Sequence, residues 1–253
     1  MIKPRYALIT GANGGIGKAL CTAFSDEGYH VIATDKQDAA CSDLDFKKYI
    51  VLNLSDYVNN EQYAANKNLE ISEALPSHQL HCLLNNAAIQ ILGSVNSLTR
   101  SDWHTTLNVN LQAPFFLTQS LLPQLENAKG SVVNISSIHA KLTKPNFVAY
   151  ATSKAALSAL TRSMAVDLGP RVRVNAIEPA AVATDMLKAG FNGKPELLTR
   201  LENYHPVKRI GEPHEISQLA VFLASDKSKF IQGSCIDISG SISNSLHDPI
   251  FEA

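Results

Sequence analysis

Tyr6-Ala7-Leu8-Ile9-Thr10-Gly11-Ala12-Asn13-Gly14-Gly15-Ile16-Gly17 decides the architecture. A short apolar run, Tyr6–Thr10, passes through a glycine-rich turn into a stretch where Ile16, Leu20, Ala23 and Phe24 recur at helical spacing, and Gly28 supplies the stop. A strand that enters a helix through glycines brings backbone close to a ligand and aims helix N–H groups and the favourable end of the dipole at a phosphate. An NTPase phosphate loop would need G-x-x-x-x-G-K-[ST], but Ala12 stands five residues before Gly17 and Ala19 follows Lys18. The G-x-G-x-x-G spacing is absent too; the pattern is Gly11-x-x-x-Gly15-x-Gly17.

Working outward, a second strand, Tyr29–Thr34, finishes at Asp35, eighteen residues after Gly17, where a carboxylate is placed to accept from an adenosine ribose. Further strands are expected at Lys48–Leu52, Leu80–Asn85, Ser131–Ser136, Arg173–Ile177 and Cys235–Ile238, with helices at Ser101–Leu125, Ala149–Leu168, Glu196–Asn203 and Glu215–Ala224. This alternation is that of a parallel sheet wrapped by crossover helices, an α/β fold. Only thirteen residues separate Asp35 from Tyr49, too few for a full crossover helix. No linker or repeat divides the chain, so residues 1–253 read as one dinucleotide-binding and catalytic domain. Leu187, Phe191, Gly193, Leu197 and Tyr204 give the stretch at about 185–209 the mixture expected of a substrate lid.

The formal net charge of −1 argues against a nucleic-acid or anionic-membrane binder, and 45% hydrophobic with 18% charged residues suits a large core. Cys21, Cys41, Cys82 and Cys235 are scattered without a C-x-x-C pair, no apolar run approaches a membrane span, and no signal-peptide region is evident, so the expected location is cytoplasmic. The histidines show no metal-ligand spacing and no G-x-S-x-G elbow occurs, so neither a metal site nor a serine hydrolase is expected.

Tyr150 and Lys154 share one face of a predicted helix, an arrangement suited to proton transfer at an alcohol or carbonyl oxygen if the ammonium draws the phenol toward the working pH. Tyr63/Lys67 and Tyr204/Lys208 repeat the Y-x-x-x-K pattern. Ser137, thirteen residues before Tyr150 at a strand end, singles out that pair, because the same offset gives Ile50 and Phe191 for the other two.

Together these pieces resemble the short-chain dehydrogenase/reductase family over nearly the whole chain. Thr10–Gly17 is similar to its T-G-x-x-x-G-x-G motif, Asn85-Asn86-Ala87-Ala88 to its N-N-A-G turn, and Asn175–Ala180 with Thr184 to the segment that holds the nicotinamide. Asn110, Ser137, Tyr150 and Lys154 resemble its catalytic tetrad. The resemblance implies a Rossmann-type doubly wound sheet of order 3-2-1-4-5-6-7, a homo-oligomer (tetramer or dimer) built through the two long helices, and hydride exchange between a nicotinamide and a small or medium-sized alcohol/ketone pair. In that scheme Tyr150 moves the proton, Ser137 positions the substrate oxygen, Lys154 binds the ribose and lowers the phenol's pKa, and Asn110 supports a relay water. The implied cofactor contacts are Gly11, Asn13, Gly15, Ile16, Gly17, Asp35, Asn53, Leu54, Asn86, Ala87, Tyr150, Lys154, Pro179, Val182 and Thr184. Asp35, with no basic residue at Asn13 or Gly14, points to NAD before NADP, Lys36 being the one nearby cation. Gln90, His139 and Asn146 adjoin the motifs and are candidates for a polar substrate pocket.

Three positions depart from the family pattern: Asn53 stands in place of an aspartate, and Ala88 and Ala180 in place of glycines. The two alanines are the best support for the alternative, a non-catalytic dinucleotide-binding regulator. The complete tetrad favours the enzyme.

Overall fold

Successive side chains of β1 (Arg5–Thr10) go to opposite sides of the sheet, which splits the core in two. Leu8 packs with Ile32, Leu83, Val132 and Val174 on one side, while Ala7 and Ile9 pack with Val31, Ala33, Leu84 and Val133 on the other. The structure, a computed structural model, describes residues 4–246, with Met186 given by its backbone alone.

The remaining strands are β2 (Tyr29–Asp35), β3 (Lys48–Val51), β4 (Cys82–Asn85), β5 (Ser131–Ile135), β6 (Arg173–Pro179) and β7 (Cys235–Ile238). All neighbours are parallel, and the seven strands run in the order β3-β2-β1-β4-β5-β6-β7. The helices are α1 (Gly15–Asp26), α2 (Leu54–Asn59), α3 (Glu61–Glu73), α4 (Arg100–Leu107), α5 (Ala113–Ser120), α6 (Leu122–Ala128), α7 (Val148–Leu168), α8 (Asp185–Ala189), α9 (Pro195–Tyr204) and α10 (Pro213–Ala224). Ile71 of α3, Leu117 of α5 and Leu168 of α7 close one half of the core, and Phe24 of α1 with Ile216 and Leu223 of α10 close the other. The strand order reverses between β1 and β4, and in open parallel sheets a ligand crevice lies beyond the carboxyl ends of the strands at that point.

Most expected strands match to within one or two residues, and no helix forms between β2 and β3. The single helix expected at Ser101–Leu125 is instead α4, a π-helical turn at Asn108–Gln112, α5 and α6. Pro114 and Pro123 lack the N–H that an uninterrupted helix would use, and the turn between them and α4 has wider spacing. Helices α2 and α3 have no counterpart in the sequence reading. Their surface is polar and Ile71 is the only buried residue of α3, so hydrophobic periodicity is weak; the signal that marks them is the pair of N-cap asparagines, Asn53 and Asn60.

Candidate active site

Gly11 has φ +66°, and a Cβ there would stand 2.8 Å from the Ala87 Cα. A Cβ on Gly17 would fall on the Gly11 carbonyl oxygen, so the turn closes only with glycine at both positions. Helix α1 begins after Gly14 without a side-chain cap, leaving first-turn N–H groups at Gly15, Ile16 and Gly17 for an incoming anion. Across the mouth, Thr184 lies against Gly15, where a Cβ would come within 2.9 Å of its methyl group. Two stretches far apart in sequence thus flank one cradle.

The Asn86 side chain donates to the Thr10 and Gly11 carbonyls at 2.8 and 3.1 Å, and Ala87 N–H donates to the Thr10 hydroxyl at 3.0 Å. These bonds tie the turn after β4 to the glycine loop. Pro179 closes β6, and Val182 is buried in a bridge to Gly211 that carries the chain toward Thr184. Ala88 and Ala180 do not have positive φ, so replacing the family's glycines there costs no backbone strain.

Three expected contacts are altered by the structure. The Asn13 side chain is committed to the segment after β2: Nδ2 donates to Gln37 Oε1 (2.7 Å), the Ala39 carbonyl (3.0 Å) and the Tyr49 hydroxyl (3.1 Å), while Oδ1 accepts from Cys41 N–H (2.9 Å). Its N–H donates to Asp35 Oδ2 at 3.0 Å, so Asn13 reaches a ligand through Asp35 and the strap it holds. Asn53 Oδ1 caps α2 by accepting from Ser55 and Asp56 N–H. The Leu54 side chain is buried in the core, which leaves only its backbone for a ligand.

At the other end of the crevice, α7 presents Tyr150 and Lys154 beneath Ser137, which follows β5. Ser137 lies near enough to the Tyr150 phenol to lower its pKa, its hydroxyl oxygen accepting from His139 N–H at 3.2 Å, and Lys154 Nζ lies 5.8 Å from the centre of the phenol ring. Lys154 is 2% exposed and donates to the Ile135 carbonyl at 2.7 Å; burial pushes its ammonium down to about 7. Burial pushes the Tyr150 phenol above its ordinary value, with Ser137 partly offsetting it. The expected lowering of the phenol is therefore absent in the protein alone, because desolvation dominates and a lysine held near neutrality brings little charge.

Asn110 lies in the π-helical turn. Its Oδ1 accepts from Ile89 N–H (2.9 Å), and Nδ2 donates to the Ile89 carbonyl (2.9 Å) and the Ser153 hydroxyl (3.0 Å). Its side chain pins the Ile89 loop to α7 with both amide donors, and one acceptor site remains on Oδ1.

His139 stacks on Phe147 at 4.6 Å and meets Tyr150 edge-on at 5.6 Å. Burial, with the Lys144 charge, pushes its pKa down to about 4, so it stays a neutral hydrogen-bonding group. Gln90 is exposed. Asn146 has φ +69° and its carbonyl accepts from Gly93 N–H, so the left-handed backbone already accounts for an asparagine there. Of the other tyrosine–lysine pairs, the Tyr63 hydroxyl accepts from Asn53 N–H at 2.9 Å and Lys67 pairs with Glu70. Tyr204 lies on α9 with its hydroxyl accepting from Arg200.

A turn only glycine closes, an uncapped helix terminus and an acceptor at the end of β2 fit a dinucleotide, with its reactive end beside a phenol, a hydroxyl and a buried lysine. The family described as enoyl-(acyl carrier protein) reductase matches residues 11–242. The chain belongs to the short-chain dehydrogenase/reductase family. Among its curated relatives, protein FixR of Bradyrhizobium diazoefficiens is 34% identical, with 94% of this chain and 86% of the relative covered. L-xylulose reductase of Caenorhabditis elegans is 32% identical over 94% of this chain and 95% of its own. The structure of 4-hydroxyisoleucine dehydrogenase complexed with NADH is 29% identical, superposes with a TM-score of 0.84, and is matched over 96% of this chain and 100% of that one. As a member of this family of NAD(P)-dependent dehydrogenases and reductases, the chain is a hydride-transfer oxidoreductase, and the non-catalytic alternative finds no support among its relatives.

Proposed function

We propose that this short-chain dehydrogenase/reductase interconverts an alcohol and a ketone on a small polar molecule, using NAD(H) in preference to NADP(H). The observation that carries the chemistry is Ser137 beside the Tyr150 phenol, with the Nζ of the buried Lys154 5.8 Å from the phenol ring centre. When bound, the nicotinamide gives or takes the hydride. Tyr150 gives or takes the hydroxyl proton, and Ser137 donates to the substrate oxygen where charge develops. Lys154 would hold a hydroxyl of the nicotinamide ribose, and Asn110 ties the Ile89 loop to α7.

The NAD preference rests on Asp35 and the strap behind it. Between Asp35 and the start of β3, Asp35, Asp38, Asp43 and Asp45 outnumber Lys36 and Lys47, and Lys18 is already paired with Asp43 at 3.0 Å. A 2′-phosphate would add roughly −1.5 to −2 charges to this field. A polar substrate is supported by neutral His139 next to Tyr150, and residues 185–209 are the proposed lid, since α9 buries none of its residues. Exposed Val166, Phe222 and Phe230 support a homo-oligomer, dimer or tetramer. Four free cysteines support a cytoplasmic location.

The test is turnover of the purified protein with NADH or NADPH against a panel of sugars, polyols, hydroxy acids, steroids and acyl thioesters, followed by nicotinamide absorbance. Reaction with a polyol, sugar or hydroxy acid is expected, and better turnover of long apolar ketones would refute the polar pocket.

A further inference from the structure

Glu178 is a carboxylate with 0% exposure near the end of β6, and none of the chemistry above uses it. Burying a charge is unfavourable unless its partners are close, so those partners indicate its task. Oε1 accepts from the Ser158 hydroxyl at 2.8 Å. Ser158 lies one helical turn beyond Lys154 on α7, and its hydroxyl is 2.8 Å from that of Ser136, which donates to the Lys154 carbonyl at 3.0 Å. Oε2 lies 2.7 Å from Lys141 Nζ, an ion pair without the alignment of a hydrogen bond. Lys141 follows Ser137 by four residues and ends the short 3-10 turn Ile138–Ala140. The other acid near Lys141, Asp237 on β7, accepts from Ser243.

We infer that Glu178 is a positioning residue whose two carboxylate oxygens lock together the segments carrying the reacting groups. One oxygen holds the tyrosine helix α7 through Ser158, and the other holds the serine turn through Lys141. Backbone hydrogen bonds alone do not fix this distance, because β5 and α7 meet through side chains at this end of the sheet. With the brace intact, the Ser137 hydroxyl stays under His139 N–H and His139 stays against Phe147 and Tyr150. This inference rests on the assignment of Ser137 and Tyr150 as the reacting pair.

Removing the two partners has unequal consequences. Glu178→Gln keeps the shape and the Ser158 bond while freeing the half-exposed Lys141 into solvent. Lys141→Met leaves an unpaired carboxylate in the interior and lowers Tm further. Both variants release the serine turn, so hydrogen exchange at residues 138–142 accelerates in each while exchange in the β1–α1 turn is unchanged. With the panel compound that the wild type turns over fastest, kcat falls about ten- to a hundredfold in either variant, as expected when reacting groups shift by a fraction of an ångström. NADH affinity, read by fluorescence, stays within about twofold of wild type. Lys141→Arg preserves the ion pair and restores kcat, and the double variant Glu178→Gln/Lys141→Met is no slower than the slower single one. A Glu178→Gln protein with wild-type kcat or unchanged exchange at 138–142 overturns the inference, as does multiplication of the two losses in the double variant. Full turnover by Tyr150→Phe would remove the assignment on which the brace rests, and the inference with it. A dead Tyr150→Phe beside an unimpaired Glu178→Gln removes the brace alone.

Discussion

Lys154 carries an ammonium into the interior at 2% exposure, and the cost of placing it there makes two predictions. Burial pushes its pKa from 10.5 to about 7. Between those values the unfolded chain holds a proton that the folded chain has lost, so stability rises with pH across the window; the penalty is complete below about 7 and fades toward 10.5. Lys154→Met is therefore expected to be inactive yet more stable than wild type near neutrality, by a few kcal/mol at most. Urea melts should show that advantage shrinking as the pH is raised, and a pH-independent gap would show that Lys154 does not titrate differently in the folded and unfolded chains. His139 behaves in the same direction at lower pH. Its pKa falls from 6.5 to about 4, so acidification through that window destabilises the wild type, and His139→Phe should flatten the dependence. Among the tyrosines, Tyr150→Phe is expected to lose most turnover while retaining cofactor affinity. Tyr63→Phe should keep turnover and lose about 1 to 2 kcal/mol of stability, because Asn53 N–H then lacks its acceptor.

The element proposed to set cofactor choice is the strap between β2 and β3, which has no helix of its own. It is held at four points: Asn13 on Gln37, Ala39 and Cys41, the Tyr49 hydroxyl on the Gln37 carbonyl (2.8 Å), Lys18 on Asp43, and the Asp35 carboxylate on Asn13 N–H. Asp35→Ala is expected to weaken NADH more than NADPH in calorimetry, narrowing the preference. Asn13→Ala should do the same and speed hydrogen exchange at the Cys41 amide, whose acceptor is removed. If NADPH binds tighter than NADH to the wild type, and Lys36→Ala reverses the order, Lys36 sets the choice. The spacing from Gly17 to Asp35 was legible in the sequence, since strand and helix lengths fix it. The commitment of Asn13 was not, because its partners lie more than twenty residues away in a loop without regular structure.

Across the whole molecule, the strand order reverses between β1 and β4 beside the glycine turn, Ser137 follows β5, Tyr150 and Lys154 lie on α7, and residues 185–209 follow Thr184, which packs against Gly15. Limited proteolysis is expected to cut first within that stretch, where Leu197 and Tyr204 are exposed, and to slow when NADH and a substrate of the panel are both present. Protection by NADH alone, equal to that by the pair, would assign the stretch to cofactor binding instead of to closure over substrate.

By itself the sequence determined the alternation of strands and helices and the glycine turn, and it supplied the proposal of Tyr150 over Tyr63 and Tyr204, since each depends on short-range spacing along the chain. Tertiary structure decided what depends on neighbours brought together from afar. It broke the long helix around Asn110, spent that asparagine's amide on Ile89 and Ser153, and turned Asn53 into a cap. It also enclosed Lys154 and Glu178, whose charges gain their meaning from low dielectric and from partners on other elements. Local pattern encodes which surfaces are apolar; the electrostatics of a site arises only when folding removes the water around it.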